Sequence, residues 1–213
     1  MTTILAYGDS LTWGSDPAVA GRRHPVSHRW PDVLASGLGE GVTIISDGVR
    51  GRCTAYDEHL ADCDRNGARI LPTVLYAHAP IDLVIIMLGV NDMKPHICGT
   101  ALGAKQGMRR LVQIVQQHAQ GLTEGLRADV LIVSPPPIVP TDNEDLAQMF
   151  AGGIAQSQML AAMYQALAHE MGVAFFDAGQ VAHASPLDGV HLDADNTAAI
   201  GRALVPVVKA ILN

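Results

Sequence analysis

The chain has 213 residues, 48% hydrophobic and 16% charged. That is enough apolar residue to bury a core without staples, and too hydrophobic for a disordered chain. Twelve prolines and 21 glycines, with no heptad pattern, exclude a coiled coil. Fourteen basic against 21 acidic residues give a net charge of −7, with no basic run longer than Arg22-Arg23 or Arg109-Arg110, so neither nucleic acid nor an anionic membrane surface is an expected partner.

In chain order, Thr3 to Tyr7 reads as a short buried strand that ends at Gly8-Asp9-Ser10. A polar, Gly/Pro-rich loop follows from Trp13 to Pro25. His28 to Leu38 has Trp30, Val33, Leu34 and Leu38 at helical spacing. Val42 to Ser46 is a second strand, ending at Asp47-Gly48. Asn66 is placed to cap a helix reaching about Ala77, and Asp82 to Leu88 is a strand whose LVIIML is a continuous apolar run of the kind covered on both faces of a parallel sheet. Met108 to Gln120 reads as a helix and Val130 to Ser134 as a fourth strand, stopped by three prolines. Ser157 to Met171 is a helix, Val173 to Phe176 a fifth strand, and Asp195 to Leu212 a closing helix.

Strands alternating with helices predict an α/β fold in one domain, residues 1–213. The expected architecture is a flavodoxin-like three-layer αβα sandwich around a five-stranded parallel sheet. Ligands in such folds sit at the carboxyl ends of the strands, near the switch point of strand order. Those ends are where chemistry should be sought.

Three successive strands end in polar blocks. Ser10 follows the first strand, where a serine opening toward a helix is well placed to be a nucleophile with its own N–H facing the cleft. The second strand leads to Gly48-Val49-Arg50-Gly51-Arg52, where glycine lets the backbone approach a ligand. The third ends at Gly89-Val90-Asn91-Asp92, and Asn91 could aim its amide at a developing oxyanion. Near the end of the chain comes Asp188-Gly189-Val190-His191, which offers a base and a carboxylate to fix its tautomer. Taken singly, the first three blocks also read as turns, because Gly, Asp, Asn and Ser all form turns, and His191 also reads as surface decoration in a chain of nine histidines. Asp193 and Asp195 read as caps of the last helix rather than calcium ligands, since the glycine and distal glutamate of an EF-hand loop are missing.

Other chemistries lack their motifs. There is no Gly-x-Ser-x-Gly elbow, no Walker A sequence, no G-x-G-x-x-G and no H-E-x-x-H. No metal site is expected, and Cys53 and Cys63 lack zinc-ligand spacing. The absence of a phosphate-cradling loop after the first strand argues against the rival reading, a non-catalytic flavodoxin-like binding module. No segment is apolar for the roughly 18 residues that a membrane span needs. No signal peptide is read, and the odd cysteine count (Cys53, Cys63, Cys98) points to reduced thiols in a cytoplasm.

Together, in this order, the blocks Gly8-Asp9-Ser10-Leu11, Gly51, Gly89-Val90-Asn91-Asp92 and Asp188-Gly189-Val190-His191 resemble the SGNH hydrolases, the GDSL esterase superfamily. The resemblance implies Ser10 as nucleophile, His191 as general base and Asp188 as its orienting carboxylate. It implies an oxyanion hole made of the Ser10 and Gly51 N–H groups and the Asn91 side chain. It implies no cofactor.

Asp9-Ser10-Leu11-Thr12-Trp13-Gly14, Ser134-Pro135-Pro136-Pro137 and Phe175-Phe176-Asp177-Ala178-Gly179 are similar to the bacterial arylesterase and mycobacterial acyltransferase branch. That branch implies a serine esterase for short-chain aryl or alkyl esters, with acyl transfer to alcohols or to peroxide in some members. Deacetylation of acetylated carbohydrates is the alternative. It also implies a homo-oligomer, octamers included.

Two features depart from that branch. Gly51 stands where a small alanine is expected, and the loops 15–27 and 98–107 do not align and are expected to shape the substrate pocket. Trp13, Ile138, Met149 and Phe150 are expected to narrow the cleft, partly from a neighbouring subunit, although Met149 and Phe150 could equally pack within their own domain.

Overall fold

The computed structural model describes residues 2–118 and 128–213. Five strands, β1 (Thr2–Gly8), β2 (Val42–Gly48), β3 (Leu83–Met87), β4 (Asp129–Ser134) and β5 (Ala174–Asp177), form one parallel sheet in the order β2-β1-β3-β4-β5. The helices are α1 (Ser10–Trp13), α2 (Trp30–Leu38), α3 (Gly67–His78), α4 (Ala101–His118), α5 (Glu144–Met149), α6 (Gly153–Met171) and α7 (Ala194–Leu212). Every side chain of β3 is buried, as are Ile4 to Tyr7 of β1 and Val130 to Ser134 of β4. Such continuous burial needs cover on both faces. It is provided by α2 packed on α7, and by α3, α4 and α6 lying side by side. The edge strands β2 and β5 are only partly buried.

This is the expected α/β fold with five parallel strands, and each expected strand is present. The helices differ at their ends. α4 begins at Ala101, seven residues before the expected Met108, and α6 at Gly153 rather than Ser157. Both early turns are glycine-containing, which weakens a helix signal. The last two residues expected for that first helix, Ala119 and Gln120, lie outside the described residues. The short helices α1 and α5 were not expected as elements. At four and six residues they are too short to show periodicity.

The caps were legible. The Asn66 side chain accepts from the Arg69 N–H at 3.2 Å, and Asp193 accepts from Asn196 N–H at 2.8 Å at the start of α7. Among the described residues no helix is long and apolar enough to cross a membrane.

Candidate active site

The chain leaves β1 for one side of the sheet and returns to β3 on the other, so the carboxyl ends of β1, β2 and β3 open onto one cleft. At the end of β1, Asp9 caps the single turn α1 by accepting from Leu11 N–H at 2.9 Å, and Gly14 ends that turn at φ 89°. Ser10 is therefore the first residue of a helical turn, 5% exposed. Its N–H has no acceptor among the described residues, as expected for a first-turn donor.

The loop after β5 delivers the other two groups. Asp188 Oδ1 accepts from the N–H groups of Val190 and His191 at 2.9 and 2.8 Å, and Gly189 makes the tight turn between them at φ 81°. Asp188 Oδ2 lies 2.6 Å from His191 Nδ1, and His191 Nε2 lies 3.0 Å from Ser10 Oγ. Burial pushes the Asp188 carboxyl up, but the bonds and charge of His191 and the two backbone donors outweigh it, so the group is held below the usual carboxylate range. Ser10 and His191, 181 residues apart in the chain, form one continuous relay with Asp188. It can carry a proton from a hydroxyl to an imidazole whose other nitrogen is fixed by a carboxylate.

Two further candidate donors stand beside Ser10. Gly51 has φ 82°, a left-handed conformation that glycine adopts without strain, and its N–H also has no acceptor among the described residues. An alanine at this position would be strained, and its Cβ would lie 2.8 Å from the Arg65 guanidinium. The glycine that departs from the resembled branch is thus matched to its own surroundings. Asn91, in the single turn after β3, is 5% exposed. Its Nδ2 donates to Asp9 Oδ2 at 3.1 Å and to the Arg52 carbonyl at 3.2 Å. The amide is thereby tied to the residue before Ser10 and to the residue after Gly51.

The supporting residues were not singled out from the sequence. Arg52 is 2% exposed and lies 4.0 Å over the Tyr7 ring. It donates to the Gly8 carbonyl at 3.0 Å, the Asp47 carbonyl at 2.8 Å and Asp47 Oδ1 at 2.7 Å, stapling the ends of β1 and β2. Asp92 accepts from the Thr54 N–H at 3.1 Å and from the Thr54 hydroxyl, joining the turn after β3 to the segment after Gly51. Burial raises the Asp92 carboxyl to about 7 and the Asp9 carboxyl to about 6. A charged residue flanking a strand-end glycine was the only available sequence signal for Arg52. Asp92 and Thr54 offered none, being 38 residues apart.

The cleft has a volume of about 600 Å³ and is lined by Ser10, Gly51, Asn91, Asp188 and His191. Leu146, Met149, Phe150 and Val190 form its apolar wall. Of the residues expected to narrow it, Met149 and Phe150 line it. Trp13 does not; its ring lies between the guanidinium groups of Arg23 and Arg50, at 5.2 and 5.0 Å. Ile138 does not either; it is buried and lines a neighbouring apolar cavity of about 480 Å³ behind Phe150. Of the two unaligned loops, Ser15 to Gly21 contributes to the cleft, whereas no residue of 98–107 does, because α4 already begins at Ala101 and turns away.

The GDSL-like lipase/acylhydrolase family pattern matches residues 6–199. A carbohydrate acetylesterase family member from Sinorhizobium meliloti is 56% identical, with a TM-score of 0.97 over 100% of this chain and 99% of its own. A second carbohydrate acetylesterase from the same organism is 38% identical, with a TM-score of 0.94 over 99% and 100% of the two chains. The native aryl esterase of M. smegmatis is 39% identical, with a TM-score of 0.93 over the whole of both chains. No curated protein sequence matches significantly. With its family blocks meeting in one cleft, the chain belongs to the GDSL-like lipase/acylhydrolase family of SGNH hydrolases and is a carboxylic ester hydrolase.

Proposed function

We propose that Ser10 is the nucleophile of an esterase acting on short-chain aryl or alkyl esters. The observation that carries this reading is the relay from Ser10 Oγ to His191 Nε2 at 3.0 Å and from His191 Nδ1 to Asp188 at 2.6 Å, beside two N–H groups that have no acceptor among the described residues. His191 takes the proton of Ser10 as Oγ bonds to the ester carbonyl carbon. The carbonyl oxygen becomes an oxyanion held by the N–H groups of Ser10 and Gly51 and by the Asn91 amide. Collapse of this intermediate breaks the bond to the alcohol oxygen, which takes the proton back from His191. Water, or an alcohol or peroxide acceptor, then enters by the same route and releases the acyl group. The short-acyl preference is supported by the likeness to carbohydrate acetylesterases, and the apolar wall of Leu146, Met149 and Phe150 supplies a face for the acyl methyl group.

Acetylated carbohydrates are a second substrate class within this reading, supported by the 56% identity to a carbohydrate acetylesterase family member. A panel of 4-nitrophenyl esters from acetate to octanoate, run with wild type and Ser10→Ala, tests the proposal. Wild type should prefer acetate and propionate, and Ser10→Ala should lose turnover by a factor on the order of 10⁶ with its fold intact. Retention of a tenth of the turnover would remove Ser10 as nucleophile, and best activity on octanoate would remove the short-acyl preference.

A further inference from the structure

The cleft carries a charge opposite to that of the chain. Arg50, Arg65 and Lys94 all line it, in a protein of net charge −7. The carboxylates that line it are already engaged: Asp16 pairs with Arg22 at 2.7 Å, and Asp188 is bonded to His191. Lys94 is buried and stands 3.7 Å from Glu58, which offsets its charge.

The two arginines are different. The arginines paired with carboxylates are Arg22, Arg52, Arg69 and Arg109, and among the described residues neither Arg50 nor Arg65 has such a partner. The Arg65 guanidinium lies against Gly51, and its Nε is buried without a hydrogen-bond partner. Arg50, the residue before Gly51, is exposed with its guanidinium held 5.0 Å over the Trp13 ring. Guanidinium groups are suited to planar bidentate contact with carboxylates, and two of them flank a strand end that bears a candidate oxyanion donor.

We propose that the cleft selects esters bearing a carboxylate, with Arg50 and Arg65 binding that negative charge while the ester carbonyl lies at Ser10. The proposal rests on the esterase reading and narrows its substrate class. The carboxylate belongs to the alcohol portion, as in an acetylated hydroxy acid or sugar acid, or to the acyl portion, as in a monoester of a dicarboxylic acid. The chemistry recognised is the same in both.

The experiment compares kcat/KM for matched pairs. On the alcohol side, 4-acetoxybenzoate is set against 4-acetoxybenzamide. On the acyl side, monoethyl succinate is set against ethyl butyrate by pH-stat. The quantity read is the anionic-to-neutral ratio, compared between wild type and Arg50→Gln/Arg65→Gln, so that intrinsic ester reactivity and any general loss of activity cancel.

Neutralising both arginines should lower the ratio about tenfold on at least one side, and that side locates the carboxylate. Salt at about 0.5 M should lower the wild-type ratio in the same direction. Arg50→Lys/Arg65→Lys, which keeps the charge, should retain most of the preference. A ratio that stays within about twofold on both sides, with neutral esters still turned over, overturns the charge selection and leaves the esterase reading standing. Wild type that hydrolyses no ester of either charge overturns both.

Discussion

Asn91 shows how one side chain is committed by its neighbours before any substrate arrives. Its amide nitrogen bridges Asp9 and the Arg52 carbonyl, so the rotamer is fixed by groups on two other strand ends. These two bonds use both N–H groups of the amide, so one is given up when Asn91 donates to a developing oxyanion, while the other holds the amide in place. Asn91→Ala should therefore lower kcat by roughly a hundredfold to a thousandfold with only a modest change in KM. Melting and single-substrate kinetics on the same preparation check this. A lower melting temperature with unchanged turnover per folded molecule would assign Asn91 to the turn alone.

Among the elements, α4 shows packing overruling propensity. Gly103 and Gly107 both lie in its first two turns, where glycine costs about 1 kcal/mol relative to alanine. The helix forms there nonetheless, because those positions pass close to other groups. A Cβ at Gly107 would overlap the Thr54 side chain, and Thr54 is the residue that binds Asp92. Gly107→Ala is thus favourable by propensity and unfavourable by packing. The packing penalty of about 1–3 kcal/mol should win, giving a net loss of stability in urea unfolding. A stabilised variant would show that the contact yields without cost. α5 presents the converse case. It buries none of its residues, is capped by Asn143 on the Leu146 N–H at 3.1 Å, and holds Leu146 and Met149 at the cleft wall.

For the whole molecule, the placement of two carboxylates beneath the cleft links stability to pH. Burial raises Asp9 to about 6 and Asp92 to about 7 from an ordinary 3.8, so the folded chain binds these protons more tightly than the unfolded chain. Their contribution to stability is complete below about pH 4 and is lost as pH rises through 6 to 7. Asp188, held low, contributes in the opposite sense, above the ordinary carboxylate range, and its contribution is lost as pH falls. Asp92→Asn removes one buried charge while keeping an oxygen to accept from Thr54. The melting temperature of this variant relative to wild type should rise between about pH 5 and pH 8, by about 2 °C or more. A difference that stays flat across that range would show that Asp92 does not titrate within it.

The sequence by itself determined the sheet and the four blocks at its strand ends. Buried parallel strands must be apolar at every position, so LVIIM and its counterparts are visible without a structure. Ser10, Asp188 and His191 stand in blocks whose local geometry is encoded over three or four residues, the Asp188 loop folding through its own carboxylate. What only the tertiary structure decided is which distant side chains share one space. Trp13 is three residues from Ser10 yet lies between two arginines, because α1 turns it away from the cleft lining. Arg65 is 14 residues from Gly51 in sequence yet packs against it. Asp9, Asn91 and Arg52 form one network across three strand ends. Periodicity and spacing report contacts along one element; the charge of a cleft arises from side chains on several, brought together only when strands pair and crossovers close.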